Sequence, residues 1–417
     1  MSNTPRDRLP DSTPALLAQG YGFLERRLLR RGREVAEARL LLQRTTLLSG
    51  AEAARLVYDP GKFVRAGAMP RVVQKTLIGV GGVQSLDGDE FRARKAMFLS
   101  LLGPERAPEV AGEFTTAWRA AVPRWEAAGQ VVLLDVAAEV LCRAVCRWAG
   151  VALPEQDVRR RTLGLRALIE CEGDPRLGYV RSRLARRRCE AWAAGLVEQV
   201  RGRGAYPDEG TVLRTIAEFR GADGKLLDAR TAAVELLNVL RPTVAIARYI
   251  ALVALALHGH PRWLAALRAS DADVVPFVQE VRRYYPFFPA IPARAREHLR
   301  WRGVEVPAGR RVMLDVHGTN LDPRSWDRPD EFRPERFRAW ADDAYAFIPQ
   351  GGGDHATGHR CPGEWVTVEV LAATVRLLTR EMEYAVPPQD LRVSMRRLPT
   401  GPRSGFVLSG VRPVVSA

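Results

Sequence analysis

Cys361 stands in a setting that favours a thiolate. In FIPQGGGDHATGHRCPGEWVTVEVLAATVRLLTR a glycine-rich loop, Gly351–Gly353, leads through His359 and Arg360 to Cys361. Pro362 follows at a favoured first helical position, and an apolar-periodic helix runs on from there. The positive end of a helix dipole, exposed backbone N–H groups and the adjacent His359 and Arg360 all favour thiolate over thiol. A thiolate is the ligand that lets a haem iron cleave an O–O bond. Gly358 and Gly363 leave room for a flat macrocycle to approach the backbone. On this loop alone, a buried or merely reactive cysteine stays open as a reading.

A second constellation lies upstream. Glu280 and Arg283 are three apart in FVQEVRRYYP, on a helix that ends before Pro286. Such a pair is ordinarily a surface ion pair of little worth. Here PDEFRPERF (Pro329–Phe337) follows, from which Arg336 can reach the same carboxylate. The Glu-x-x-Arg helix, the Pro-Glu-Arg-Phe segment, GTNLDPRSWDRPDEF and Cys361 with Gly363 two residues on together resemble the cytochrome P-450 superfamily. The resemblance covers most of the chain and is most specific from about Glu235 to the end. It implies a mainly α fold with small β-sheets, the P-450 fold, as a single haem-thiolate domain over residues 1–417. Its cofactor would be haem b, bound by a loop at about 347–364 with Cys361 as axial ligand of the iron. Glu280, Arg283 and Arg336 would form a buried structural network behind the haem. Lys95 and Arg294 match positions that contact haem propionates, with His359 and Arg65 as further candidates. Phe91 stands where relatives carry histidine, which puts one propionate contact in question.

The loop itself departs from the superfamily pattern. GGGDHATGH replaces the usual aromatic-plus-glycine approach, and Thr357 stands where a glycine often precedes the cysteine by four. This variant resembles the bacterial fatty-acid peroxygenases.

The helix that would cross the distal face of the haem is AVELLNVLRPTVAIARYIALVALALHGHP. Where the superfamily carries an acid–alcohol pair, this chain has Arg241 and Pro242, followed by Thr243. A proline inside a helix costs about 3 kcal/mol, and a local rule broken at that cost marks a functional site. The plain alternative is that Pro242 opens a new helix. An arginine in an apolar helix is expensive unless paired. Glu235, six residues away, points well round the helix from it. A ligand carboxylate is the natural partner, since a guanidinium fork suits it bidentately. ELLNVLRP resembles the peroxygenases closely, and there the arginine holds the substrate carboxylate. The resemblance therefore implies catalytic roles for Arg241 and Pro242. The carboxylate, held ionised by Arg241, would stand in for the missing acid and move the proton of hydrogen peroxide. The product would be a fatty acid hydroxylated at the α or β carbon, with no oxygen and no obligatory redox partner needed. Gln84, in LIGVGGVQSLDGDEF, matches a position that is glutamine in hydroxylases and histidine in a decarboxylase. Ile78 and Phe288 would line the acyl channel, Phe288 resembling the α-selective members; ordinary core packing is the plain alternative for all three.

These residues need a scaffold, and most of the 417-residue chain reads as helix. Helical spacing marks the segments around Pro14–Leu42, Pro108–Val122, Val136–Trp148 and Arg181–Arg201. Strand-like pieces lie at Gly129–Asp135, His298–Pro307 (a hairpin turning at Arg302-Gly303) and Arg310–Gly318, and the last forty residues are rich in turns. The net charge of +15 invites a nucleic-acid reading, but the basic residues are nearly all arginines, spread along the chain among acids. No nucleic-acid partner is expected, and the densest basic run, from Arg181, reads as a solvated face. Five cysteines form no disulfide framework, and Cys142 and Cys146 have the spacing of two buried helix residues. The longest apolar run, Val244–Leu257, is interrupted by Arg248 and too short for a membrane span. MSNTPRDRLPDSTP has no apolar signal core, so the cytoplasm is the expected compartment. The competing readings are a conventional P-450 monooxygenase using oxygen and redox partners, a fatty-acid decarboxylase giving terminal alkenes, and a non-catalytic haem sensor.

Overall fold

The structure is a computed structural model that describes residues 10–170, 175–202 and 207–414. Its organising element is the helix Ala229–Gly259. Asp228 caps it, the side chain accepting from the Thr231 N–H at 3.0 Å, and Pro261 follows its end. Pro242 lies inside this helix without dividing it, so the reading in which Pro242 opens a new helix does not hold. The helix is apolar on nearly every side because it is enclosed on nearly every side. It packs most heavily on Leu133–Trp148, Pro175–Arg201 and Glu364–Arg376. By length and composition it would suffice to cross a membrane, which the broken apolar run did not suggest. Yet 89% of its most apolar window is buried inside the protein.

A five-stranded sheet flanks the helices, in the order Val35–Leu40, Gln43–Leu48, Arg311–Asp315, Ala290–Ala295, Phe63–Val64. Gln43–Leu48 pairs in parallel with Arg311–Asp315, and the other neighbours are antiparallel. Gln130–Val132, Val407–Pro413 and Met382–Ala385 form a three-stranded sheet. The expected hairpin pairs Leu299–Trp301 with Val304–Val306. It turns on Arg302 (φ 48°) and Gly303 (φ 79°), the two positive φ values that a tight two-residue hairpin requires.

Three expectations fail, each for a local reason. The helix read over Pro14–Leu42 ends at Arg27, after two short pieces, Thr13–Gln19 and Gly22–Arg27. Between them Gly20 takes φ 56°, and a Cβ there would lie 2.5 Å from the Met395 carbonyl oxygen. VAEARL beyond it alternates between buried and more open positions, a strand rhythm that a helical reading overran. The strand read at Gly129–Asp135 is only Gln130–Val132, because helix begins at Leu133 rather than Val136. The strand read at Arg310–Gly318 stops at Asp315, whose side chain caps the short helix Val316–Asn320. Cys142 and Cys146 are buried side by side in the helical core; Cys171 lies outside the described residues.

Candidate active site

The loop around Cys361 is fixed by its own polar groups. Gly351 takes φ 96°, and a Cβ there would meet the Tyr58 hydroxyl at 2.7 Å, so only glycine fits. The Cys361 N–H donates to the Gln350 carbonyl at 3.0 Å. Asp354 accepts from the N–H groups of Ala356 (2.9 Å) and Thr357 (2.7 Å) and from the Thr357 hydroxyl (2.8 Å). That turn accounts for Thr357, since its side chain ties the loop where a glycine is more usual.

The helix after the cysteine starts at Glu364 and not at Pro362. The dipole argument for the thiolate is weakened accordingly, and burial pushes the Cys361 thiol up, opposed by the Gly363 N–H and the charge of Lys95. Arg360 is not a free neighbour of the sulfur either. Its Nε donates to Glu364 at 2.6 Å, and Glu364 also meets His355 at 3.1 Å and the buried Arg282. Burial resists ionisation of Glu364, but Arg282, His355 and Arg360 outweigh it and hold its carboxyl below the usual range. Arg282 further donates to the Gln350 side chain at 3.0 Å, which ties the cysteine loop to the helix Val274–Tyr284.

The same helix carries the Glu280 network. Arg283 donates to both Glu280 oxygens at 2.7 Å, and Arg336 Nε lies 3.2 Å from the same carboxylate. Arg283 also reaches the carbonyls of Asn320, Pro329 and Glu331, and the Arg333 N–H donates to Glu280 at 2.7 Å.

Two further buried cations lack such completion. Lys95 is 2% exposed and, among the described residues, its Nζ donates only to the Arg360 carbonyl. Burial lowers its pKa to about 8, against the pull of Cys361. Arg65 is 6% exposed, donates from its side chain to the Pro292 carbonyl at 2.9 Å and lies 4.9 Å over the Tyr58 ring. Neither forms an ion pair with a carboxylate among the described residues. Two unpaired buried cations beside a buried thiol fit a haem, whose two propionates would supply the missing anions and whose iron would take the sulfur. Arg294 is placed differently. Its guanidinium is taken up by the carbonyls of Gly67 and Gly309, both at 2.8 Å, and by Gln43. Arg65 thus has fewer protein partners for its guanidinium than Arg294. His359 stacks on Phe91 with ring centroids 4.0 Å apart, and its Nε2 is 3.7 Å from Asp87.

Arg241 is buried on the long helix. One Nη donates to the Leu77 carbonyl, the other to Asn238 Oδ1 at 3.2 Å, and Nε has no partner among the described residues. No carboxylate among the described residues pairs with it. Burial first, and the nearby charge of Arg186 second, lower its pKa to about 9, while Cys361 pulls the other way. Glu235 is unavailable, as expected, because it is bound to Arg94 (2.8 Å), Asn238 (2.9 Å) and the Val83 N–H (2.9 Å). Asn238 thus bridges Glu235 and Arg241, and it also approaches Gln84 at 3.3 Å. The Thr243 hydroxyl is taken up by the Val239 carbonyl of its own helix at 2.9 Å. Ile78 is buried at the end of the turn Gln74–Ile78, and Phe288 lies half-buried in the extended stretch before Ala290–Ala295.

Sequence reasoning missed Asn238, Glu364, Arg282 and Arg186. Asn238 had a usable signal, being three residues before Arg241 on one helix face. Arg186 had a misleading one: it sits in the run read as a solvated face, yet it is fully buried.

Residues 275–390 match the family described as cytochrome P-450. Cytochrome P450SP alpha, solved in complex with (R)-ibuprophen, is 49% identical, with 97% of this chain and 99% of that one covered at a TM-score of 0.94. Cytochrome P450EX alpha with myristic acid is 40% identical over 99% of both chains, TM-score 0.94. Cytochrome P450 OleT in complex with arachidonic acid is 34% identical over 99% of both, TM-score 0.95. Among curated sequences, 34% of the chain matches trimethyltridecatetraene synthase of Zea mays at 34% identity, spanning 27% of that relative's length.

Proposed function

The chain belongs to the cytochrome P-450 superfamily and to its fatty-acid peroxygenase subgroup, and within that frame we propose that residues 1–417 work as one hydrogen-peroxide-dependent fatty-acid hydroxylase domain. Cys361 would hold the haem, with Lys95 and Arg65 at its propionates, and the haem would supply peroxide activation and C–H oxidation. The observation that carries the finer reading is Arg241, a buried guanidinium with an unpartnered nitrogen and, among the described residues, no carboxylate beside it. A fatty-acid carboxylate completes its hydrogen bonding bidentately and stays ionised there. The ligands of the solved relatives, ibuprophen, myristic acid and arachidonic acid, are all carboxylic acids, which supports this class of substrate.

Pro242 and Thr243 offer no acid–base group, since proline has none and the Thr243 hydroxyl is bonded into its own helix. The bound carboxylate therefore holds and returns the proton of hydrogen peroxide. Pinning that end of the substrate exposes the α and β carbons to oxidation. Fatty acid and hydrogen peroxide give hydroxy acid and water, and no reductase is required. Ile78 and Phe288 border the acyl chain, and Gln84 reaches Arg241 only through Asn238.

The test is product analysis. Purified holoenzyme with hydrogen peroxide and a myristic or palmitic acid substrate, without NAD(P)H, should give 2- or 3-hydroxy acids by mass spectrometry. Silence with peroxide and turnover only with NAD(P)H, oxygen and redox proteins would establish the monooxygenase reading instead.

A further inference from the structure

Two cations meet on one carbonyl. The Leu77 oxygen accepts from Arg241 and, at 3.2 Å, from Nη1 of Arg186. Arg186 comes from a different element, the helix Pro175–Arg201, and is 0% exposed. Its Nε donates to Glu190 at 2.7 Å, and its Nη2 has no partner among the described residues. It reaches Leu77 only because residue 79 is glycine. At Gly79 (φ 84°) a Cβ would lie 2.2 Å from Arg186 Nη2 and 2.5 Å from Val234 Cγ1.

We propose that Arg186 is a positioning residue that readies Arg241 for the substrate carboxylate by sharing the Leu77 carbonyl with it. The proposal rests on the reading of Arg241 as the carboxylate anchor. Arg241 rests on the Leu77 oxygen. A carboxylate draws its guanidinium away, and a buried carbonyl stripped of its donor would oppose that movement. Arg186 keeps the carbonyl satisfied and removes the opposition. Its like charge also disfavours leaving Arg241 unpaired, which strengthens the demand for an anion. A mere clamp on the segment that carries Ile78 and Gln84 would affect all ligands alike. A partner of Arg241 affects carboxylates only.

The experiment measures fatty-acid binding by the haem absorption change, together with KM and kcat, for holoenzyme variants Arg186→Met, Arg186→Lys, Arg241→Ala and the double variant Arg186→Met/Arg241→Ala. Arg186→Met should raise the fatty-acid Kd and KM about tenfold, the effect of one unmade buried hydrogen bond. Its kcat should stay within about twofold of wild type, and binding of neutral imidazole should be unchanged. Arg186→Lys should restore most of the affinity. In the Arg241→Ala background, Arg186→Met should add nothing. Equal weakening of imidazole and fatty acid, or additive losses in the double variant, would overturn the proposal. Wild-type fatty-acid affinity in Arg241→Ala alone would instead overturn the anchor reading, a separate outcome. Where Arg186→Met yields no haem-loaded protein, Glu190→Gln loosens Arg186 more gently and should raise the fatty-acid KM about threefold. An unchanged KM there overturns the proposal too.

Discussion

Arg283 and Arg241 are the same residue type at nearly the same burial, 0% and 6% exposed, and the protein treats them in opposite ways. Around Arg283 every need is met from within: both oxygens of Glu280 at 2.7 Å and three backbone carbonyls. Around Arg241 there is one carbonyl, one amide oxygen and a nitrogen with nothing to bind. Burial of a charge is expensive without a partner. Arg283, whose charge Glu280 balances, reads as framework, and Arg241, with no carboxylate beside it among the described residues, has its charge free for a ligand. Lys95 and Arg65 fall on Arg241's side of that division, each with a single backbone carbonyl for its side chain. Lys95 and Arg241 both lie close enough to Cys361 to interact with it electrostatically.

The division breaks most visibly when the completed side is disturbed. Glu280→Gln removes the charge that balances Arg283 and Arg336, and should destabilise the fold by about 3–5 kcal/mol. Denaturant titration should show that loss, together with poor recovery of haem-loaded protein. A stability within error of wild type would mean that the network is not framework. Cys361→Ala should leave the fold but abolish the absorption band diagnostic of haem-thiolate proteins in the reduced, carbon monoxide-bound form. Cys142→Ala should keep that band, because Cys142 is buried in a separate part of the core. A band that survives Cys361→Ala would remove the sulfur from the iron.

Much of this division was legible before any coordinates. Cys361, Glu280, Arg283, Arg336 and Arg241 all stand out because spacing and neighbours mark them as chemically unusual. Spacing reports which face of an element a residue occupies, and no more. It cannot say that the helix Pro175–Arg201 turns Arg186 onto the Leu77 carbonyl, nor that Arg360 turns to Glu364 and away from the sulfur. Arg294 and Arg65 show the same limit, since a strand position does not reveal which guanidinium is taken up by loop carbonyls. The helical reading over Pro14–Leu42 failed differently. Period-two alternation in VAEARL is too short to outvote the helical spacing before it, and sheet pairing with Gln43–Leu48 decides the matter.

Disturbing the incomplete side should look quite different. Arg241→Ala should lower peroxide-driven fatty-acid hydroxylation by at least about a hundredfold, because it removes both a charge-assisted contact and the placement of the proton-handling group. It should not lower the melting temperature, since no carboxylate among the described residues pairs with the deleted charge. Arg241→Lys keeps the charge without the fork and should recover only part of the rate. Acetate should accelerate peroxide oxidation of a neutral aromatic in wild type by occupying the site, and should fail to do so in Arg241→Ala. Hydroxylation at near wild-type rate in Arg241→Ala would place the carboxylate elsewhere.

The smallest effect belongs to Gln84, which lies between the two classes. It does not touch Arg241; its side-chain oxygen accepts from Asn238 at 3.3 Å, and Asn238 in turn accepts from Arg241 at 3.2 Å. A residue one step removed should tune the outcome more than the rate. Gln84→His should raise the share of decarboxylated product while total turnover stays within about threefold of wild type. If the influence runs through the amide, Asn238→Ala should erase the difference between Gln84 and the histidine variant, because the link to Arg241 is then cut in both. A product shift that persists in the Asn238→Ala background would mean that the side chain at 84 meets the substrate directly. No shift across several fatty acids would reduce Gln84 to packing.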